Sequence, residues 1–143
     1  MTKTALPHWK DVTFDYCRLV DLSLRLNPDV ISKEGERAFA YEVTISEKES
    51  FEENVIAVST FIVQSQLEDS PEAEVRAKYL FSFSSKNDAV HLDELAIQIV
   101  RLSVWPTFVS LFKRTVSEAA LPFPDLPWTP DKVNIAASNA EVA

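Results

Sequence analysis

Residues able to carry out acid–base, nucleophilic or metal chemistry are few and scattered in this sequence. The two histidines, His8 and His91, lie far apart, and neither has a cysteine or histidine at a spacing typical of a zinc site. Cys17 is the single cysteine, and a structural or incidental thiol explains it more simply than a nucleophile does. Asp93 and Glu94 could form a carboxylate pair, but acids in a helix's first turn commonly stabilise its dipole. No phosphate-binding loop or serine-nucleophile motif occurs, so we predict no enzyme, no cofactor and no metal.

The side chains that could bind a partner are apolar, and they are concentrated near the C-terminus. Residues 121–130, LPFPDLPWTP, contain four prolines and four large apolar side chains. Each proline fixes φ and removes an N–H donor, so this segment can neither continue a helix nor lie inside a sheet. We call residues 121–130 the strap. Its apolar side chains predict that it lies against a surface, either closing the chain's own core or forming part of a binding site.

Length, charge and cysteine content limit the class of protein. The 143 residues fit a single domain at 1–135, followed by a small, polar and flexible tail at 136–143. The net charge of −8 disfavours nucleic acid as a partner, because the phosphates would repel it. We find no apolar core of signal-peptide length and no uninterrupted run of about 18 apolar residues. Together with the lack of a possible intramolecular disulfide, this predicts a cytoplasmic protein without membrane insertion.

Four segments are predicted to be β-strands, at 14–26, 38–47, 55–66 and 75–84, and all but the third alternate apolar and polar residues. In the first of these, the alternation predicts a shared buried face for Phe14, Tyr16, Val20, Leu22, Leu24 and Leu26. The third is apolar on both faces, which a strand buried on one side only does not require. Either helices cover both of its faces, or one face meets another copy of the sheet.

After residue 91 the apolar residues follow one another at intervals of three and four, which predicts helices. Pro106 should break or restart the helix, because it lacks an N–H and crowds the preceding turn. Short polar turns between the later strands predict an antiparallel meander. Strands followed by helices predict an α+β fold in which a four-stranded antiparallel sheet carries its helices on one face.

With four strands, then helices, then the strap in this order, the chain resembles the SecB protein-export chaperones along residues 9–135. The most specific match is the strap, where FPDLPWTPDKVNI at 123–135 is similar to the family's F-P-x-L-x-L-x-P-V-N-F with two inserted residues. VDLSLR at 20–25 is similar to the family's K-D-[IV]-S-F-E in the first strand. LFSF at 80–83 is similar to I-F-S-I in the fourth strand, and VWPTF at 104–108 to L-F-P-Y-x-R in the long helix.

The resemblance implies a SecB-like fold, a homotetramer built as a dimer of dimers, and apolar grooves that hold unfolded polypeptides without ATP or any cofactor. Candidate client-binding residues on the elements that line this groove are Phe39, Tyr41, Phe123, Leu126 and Trp128. The apolar third strand and the helices place candidate oligomer contacts at Val58, Ile62, Phe108 and Phe112.

In export-type members an acidic sheet surface passes clients to the SecA motor. The matching acids here are Asp21 and Glu74. At the position where the family pattern has a further acid, this chain has Arg25. Like charges facing each other at an interface can cost several kcal/mol, so we expect SecA binding to be weak or absent.

Three functions remain open. The first is a SecB-like holdase for non-native polypeptides, possibly in protein export. The second is a SecB-fold interaction protein dedicated to one partner, such as an antitoxin- or phage-associated protein. The third is an oligomer whose apolar surface is fully buried between its own copies.

Overall fold

The structure, a computed structural model, describes residues 12–31, 33–51, 54–85, 92–121 and 123–136. His8, His91 and residues 137–143 of the predicted tail lie outside the described residues. One mixed sheet contains every described strand, in the order β1-β4-β3-β2-β5. Its strands are β1 (Val12–Leu26), β2 (Arg37–Phe51), β3 (Asn54–Leu67), β4 (Ser70–Ser85) and β5 (Asn134–Ile135). The four long strands are antiparallel, and the two-residue β5 adds a parallel pairing to β2.

The described helices are α1 (Pro28–Ile31), α2 (Leu92–Ile99) and α3 (Trp105–Glu118), and a π-helical segment (Val100–Val104) joins the last two. The core lies between this long helical unit and the sheet. Odd-numbered residues of β3, and those of β4 from Ala73 onward, are buried, and Phe61 of β3 stacks on Phe108 of α3 with ring centroids 4.7 Å apart. The predicted α+β fold is therefore confirmed, with a short fifth strand added.

The π-helical segment explains why Pro106 does not end the helix. A proline here removes one helical hydrogen bond, and its ring crowds the carbonyl of Leu102 four residues earlier. The N–H of Trp105 bonds to the carbonyl of Val100, five residues back, which inserts one extra residue into the turn. α3 thus begins at Trp105 with Pro106 in its first turn, which is the restart that the sequence predicts as one alternative, and no break separates it from the preceding segment. Leu102 is 59% exposed.

By length and composition alone, Leu92–Glu118 could cross a membrane. One face of this helical unit carries buried core residues, among them Leu95, Ile99 and Phe108. Core helices of water-soluble proteins meet the same criteria, and we interpret Leu92–Glu118 as such a core helix.

β1 departs from the predicted alternation at two bulges, one between Phe14 and Tyr16 and one between Leu19 and Asp21. Each bulge adds one residue, so the side chains that follow it lie on the sheet face opposite to the one that simple alternation predicts. Tyr16 pairs with Ser82 on the sheet face away from the helices, and Leu19 joins the helix-facing side instead. The predicted shared face is therefore wrong for Tyr16.

The described helices leave much of β1 uncovered. Five apolar side chains on the helix-facing side of this edge strand are 36–44% exposed, and we call them the β1 apolar stripe. They are Phe14, Leu19, Leu22, Leu24 and Leu26. The sequence predicts burial for most of them, and the protomer alone does not provide it.

The crossover from β1 to β2 is tied to β4 by a buried ion pair. The Arg37 guanidinium donates to the Glu72 carboxylate at 2.5 Å, and also to the carbonyls of Lys33 and Gly35. Gly35 has a φ of 148°, and a Cβ there would lie 2.6 Å from a methyl carbon of Leu67, so only glycine fits without movement. This junction fixes the start of β2, from which Phe39 and Tyr41 extend.

Candidate functional site

The strap lies on the helix-facing side of β2, where three hydrogen bonds hold its C-terminal end. The buried indole Nε1–H of Trp105 donates to the carbonyl of Pro127 at 3.0 Å. The Arg101 guanidinium donates to the carbonyl of Asp131 at 3.4 Å, and the Asp131 N–H donates to the Tyr41 hydroxyl at 2.9 Å. β5 follows directly, so the chain leaves the strap anchored to the edge of the sheet.

Aromatic packing fixes the N-terminal half of the strap. The Phe123 ring lies between Phe39 of β2 and Phe112 of α3, with centroid distances of 5.5 Å and 5.3 Å. Leu121 and Pro130, at the two ends of the strap, are buried. The strap therefore closes one side of the core, as one of its two sequence interpretations predicts.

A cleft of about 650 Å³ opens between the strap and α3, and we call it the α3–strap cleft. Its α3 wall consists of Pro106, Val109, Phe112, Lys113, Val116 and Ser117. Its other wall consists of residues 121 and 123–128 of the strap. Trp128 stands at this wall with 96% of its surface exposed, the largest exposed fraction among the large apolar side chains described. The strap thus also forms one wall of an open apolar cleft.

The five predicted client-binding residues lie around this cleft with different roles. Phe123, Leu126 and Trp128 line the cleft itself. Phe39 packs on Phe123 but keeps an exposed edge. Tyr41 is packed against Trp105, and its hydroxyl accepts a hydrogen bond from the N–H of Asp131, the residue directly after the strap, so it supports the strap's C-terminal end.

Sequence reasoning missed the α3 wall, where Pro106, Val109, Lys113 and Val116 contribute to the cleft. Their spacing of three, four and three residues is visible in the sequence. The same spacing also fits a core-facing stripe, and it does not by itself indicate a second exposed side of the helix.

The predicted oligomer contacts fall into two groups. Val58 and Ile62 are partly exposed on the sheet face opposite the helices. Phe108 and Phe112 are buried inside the protomer against the sheet and the strap. The prediction for these two phenylalanines is corrected by their burial, because a core side chain cannot contact a partner without repacking.

Asp21 and Glu74 share the sheet face opposite the helices, but cations accompany them. Asp21 pairs with Lys78 across the strands, and Glu74 pairs with Arg25. Arg76 also approaches the Glu74 carboxylate, with Nε 3.5 Å from the nearer oxygen. This surface is therefore of mixed charge, and Arg25 lies on the same face as both acids.

The one cysteine is unsuited to nucleophilic chemistry. Cys17 lies opposite Phe81 on the helix-facing side of β1, and burial raises the pKa of its thiol. Burial, with a smaller contribution from Cys17, raises the pKa of Tyr79 to about 12. Both groups therefore stay protonated at neutral pH. Within the described ranges, no group of His, Cys, Asp and Glu side chains could hold a metal ion.

Among solved structures, the chain is similar to a SecB-like chaperone of Mycobacterium tuberculosis in complex with a ChAD peptide from the HigA1 antitoxin. The superposition has a TM-score of 0.61, covers 82% of this chain and 90% of that one, and has 11% sequence identity. No protein-family model and no curated protein matches the sequence significantly. The predicted SecB-like fold is confirmed, and this chain is a distant representative of the fold of the SecB-like chaperones.

Proposed function

We propose that this protein is a cytoplasmic chaperone that binds non-native polypeptide segments in the α3–strap cleft without a nucleotide. The observation that carries the proposal is the exposed apolar surface at the cleft, above all Trp128, which is 96% exposed. Burial of apolar surface against a client contributes about 25 cal/mol per Å² before ordering costs are subtracted. The SecB-like fold supports the same function.

The rigidity of the strap favours binding at Trp128. Pro127 and Pro130 fix the backbone on either side of it, and the Trp105–Pro127 hydrogen bond holds the segment to the helical layer. A side chain presented on an already ordered backbone loses less entropy when a ligand covers it. Large aromatic side chains in such positions often dominate binding energy.

We therefore expect Trp128→Ala to weaken client binding by roughly tenfold or more, an effect of about 1.4 kcal/mol or greater. Because Trp128 contributes almost nothing to the core, the melting temperature should stay within a few degrees. Titration of a fluorescently labelled, chemically unfolded client by anisotropy measures the first effect, and circular dichroism the second. Thr129→Ala, a change at an exposed neighbour on the strap that does not line the cleft, is the control. Unchanged affinity, or loss of folding, would contradict this role for Trp128.

We further propose that copies of the chain associate through β1. The outer edge of β1 pairs with no strand among the described residues, although β1 is 15 residues long. An unpaired edge beside the exposed β1 apolar stripe is a surface that a second copy can cover by antiparallel pairing about a two-fold axis. Two such dimers could then pack through their helical layers, where Leu102 is exposed, to give a homotetramer.

A second candidate function is supported by the solved complex. The similar Mycobacterium tuberculosis chaperone binds a peptide from an antitoxin, which favours a SecB-fold protein dedicated to a single partner over one serving protein export. Suppression of the aggregation of several unrelated unfolded proteins would indicate a general holdase. One partner that co-purifies in fixed stoichiometry, without broad suppression, would indicate the dedicated protein.

SecA binding is expected to be weak or absent, because Arg25, Arg76 and Lys78 accompany the two acids on the matching sheet face. Calorimetric titration against SecA at physiological salt measures this. Arg25→Glu should strengthen any residual binding, whereas Arg114→Glu, the same charge change on exposed α3, should not. Tight binding by the unmodified protein that Arg25→Glu leaves unchanged would contradict this interpretation of the surface.

A further inference from the structure

We infer that the α3–strap cleft receives its ligand as an amphipathic α-helix, not as an extended strand; this inference rests on the proposed polypeptide-binding function. It concerns the conformation and charge pattern of the bound segment. Three features of the cleft walls lead to it.

The first feature is the spacing along α3. Pro106, Val109, Lys113 and Val116 line the cleft at intervals of three, four and three residues; Val116 and the neighbouring Phe112 are mostly buried at its base. This is the spacing of a seam along which a second helix packs its own residues at similar intervals. From residue 106 to residue 117 the wall is about 17 Å long at 1.5 Å per residue, which is roughly three helical turns. A helix of about eleven residues can therefore lie alongside α3.

The second feature is the small number of backbone partners that the walls offer. The backbone groups along α3 are used within the helix itself. On the strap, Pro124 and Pro127 have no N–H and the Pro127 carbonyl already accepts a hydrogen bond from Trp105, so an extended segment could pair only with the few groups between them, along one of its edges. An extended segment inserted here would leave many of its own backbone groups unpaired, which is costly away from water. A helix pairs those groups internally and needs only side-chain contacts.

The third feature is the charge on the two walls. Lys113 lies on the α3 wall and Asp125 on the strap wall, and both are exposed. Neither forms an ion pair within the part of the chain that the structure describes. A ligand helix with carboxylates on the edge facing α3 and cations on the edge facing the strap is complementary to both walls. These charges fix which face of the ligand helix points into the cleft. The preferred ligand thus has leucine-type residues on one helical face, between an acidic edge and a basic edge.

Two synthetic peptides of fourteen residues would test this inference. Both carry leucines at intervals of three and four, glutamates on one edge and lysines on the other. In one, a lactam bridge between side chains four residues apart stabilises the helix; in the other, a central proline on the solvent-facing side prevents it. Calorimetric titration should show that the bridged peptide binds at least about tenfold more tightly.

Variants of the protein connect the effect to the cleft. Val109→Asp should abolish the preference for the bridged peptide, whereas Ser110→Asp, the same new charge on an exposed neighbour outside the cleft, should preserve it. Lys113→Glu should weaken binding of the bridged peptide, and exchanging the glutamates and lysines of the peptide should restore it in part.

Equal or tighter binding of the proline-containing peptide, or no binding of either peptide, would overturn the inference. The same holds if Val109→Asp leaves the preference unchanged. The proposed chaperone function is tested separately by the chemically unfolded client. If that client binds while the helical peptide has no advantage, only the conformational inference fails; if that client does not bind, the chaperone function fails.

Discussion

Replacing Trp105 by alanine is expected to lower the free energy of unfolding by about 3–5 kcal/mol, the range for truncating a fully buried large aromatic side chain. Trp105 has no exposed surface, and its ring centroid lies 5.4 Å from that of Tyr41 and 5.8 Å from that of Phe108. The same side chain provides the hydrogen bond that holds Pro127. The substitution should therefore both open a cavity and release the strap.

Trp105→Phe separates these two effects, because it keeps most of the ring and removes the N–H donor. We expect a smaller loss, about 1–2 kcal/mol, together with faster hydrogen exchange in the strap. Urea unfolding followed by circular dichroism gives the free energies, and exchange mass spectrometry reports the strap. A cost below about 1 kcal/mol for Trp105→Ala would mean that Trp105 does not occupy the core as described.

The central strands were the most predictable part of the fold. β3 and β4 are each paired on both sides, so apart from one irregularity at Gln66 their side chains alternate between the two faces. The apolar residues of the alternation predicted at 75–84 are buried, namely Val75, Ala77, Tyr79, Phe81 and Phe83. β1 was less predictable, because its bulges depend on how it fits against β4. A bulge has no strong local sequence signal, and each one reverses the faces that follow it.

Pro106 shows the limit of local propensity in the helical layer. On its own it predicts a break or a restart and does not distinguish them; α3 restarts at Trp105 directly after the π-helical segment, so the helical unit is not interrupted. The strap itself could be predicted, because its prolines and apolar residues are adjacent in sequence. The opposite wall could not, since the rotation of α3 that places Val109 at the cleft is set by how Trp105, Phe108 and Phe112 pack on the sheet.

Leu22→Asp is expected to disrupt the proposed association through β1, so that the mass in solution falls to half or less of that of the unmodified oligomer, toward the 16.1 kDa of the monomer. Leu22 lies in the middle of the β1 apolar stripe, where a second copy would cover it. In a two-fold dimer each substitution occurs twice, and each new carboxylate would be buried without a partner at a cost of several kcal/mol. Light scattering at micromolar concentration measures the mass.

A new carboxylate placed away from β1 serves as the control for Leu22→Asp. Arg114→Asp, at an exposed position on α3, should leave β1 pairing intact and is the matched control. Since the wild-type mass is measured in the same series, a wild-type monomer would exclude β1 self-association outright. Dimers insensitive to Leu22→Asp would place the contact on another surface.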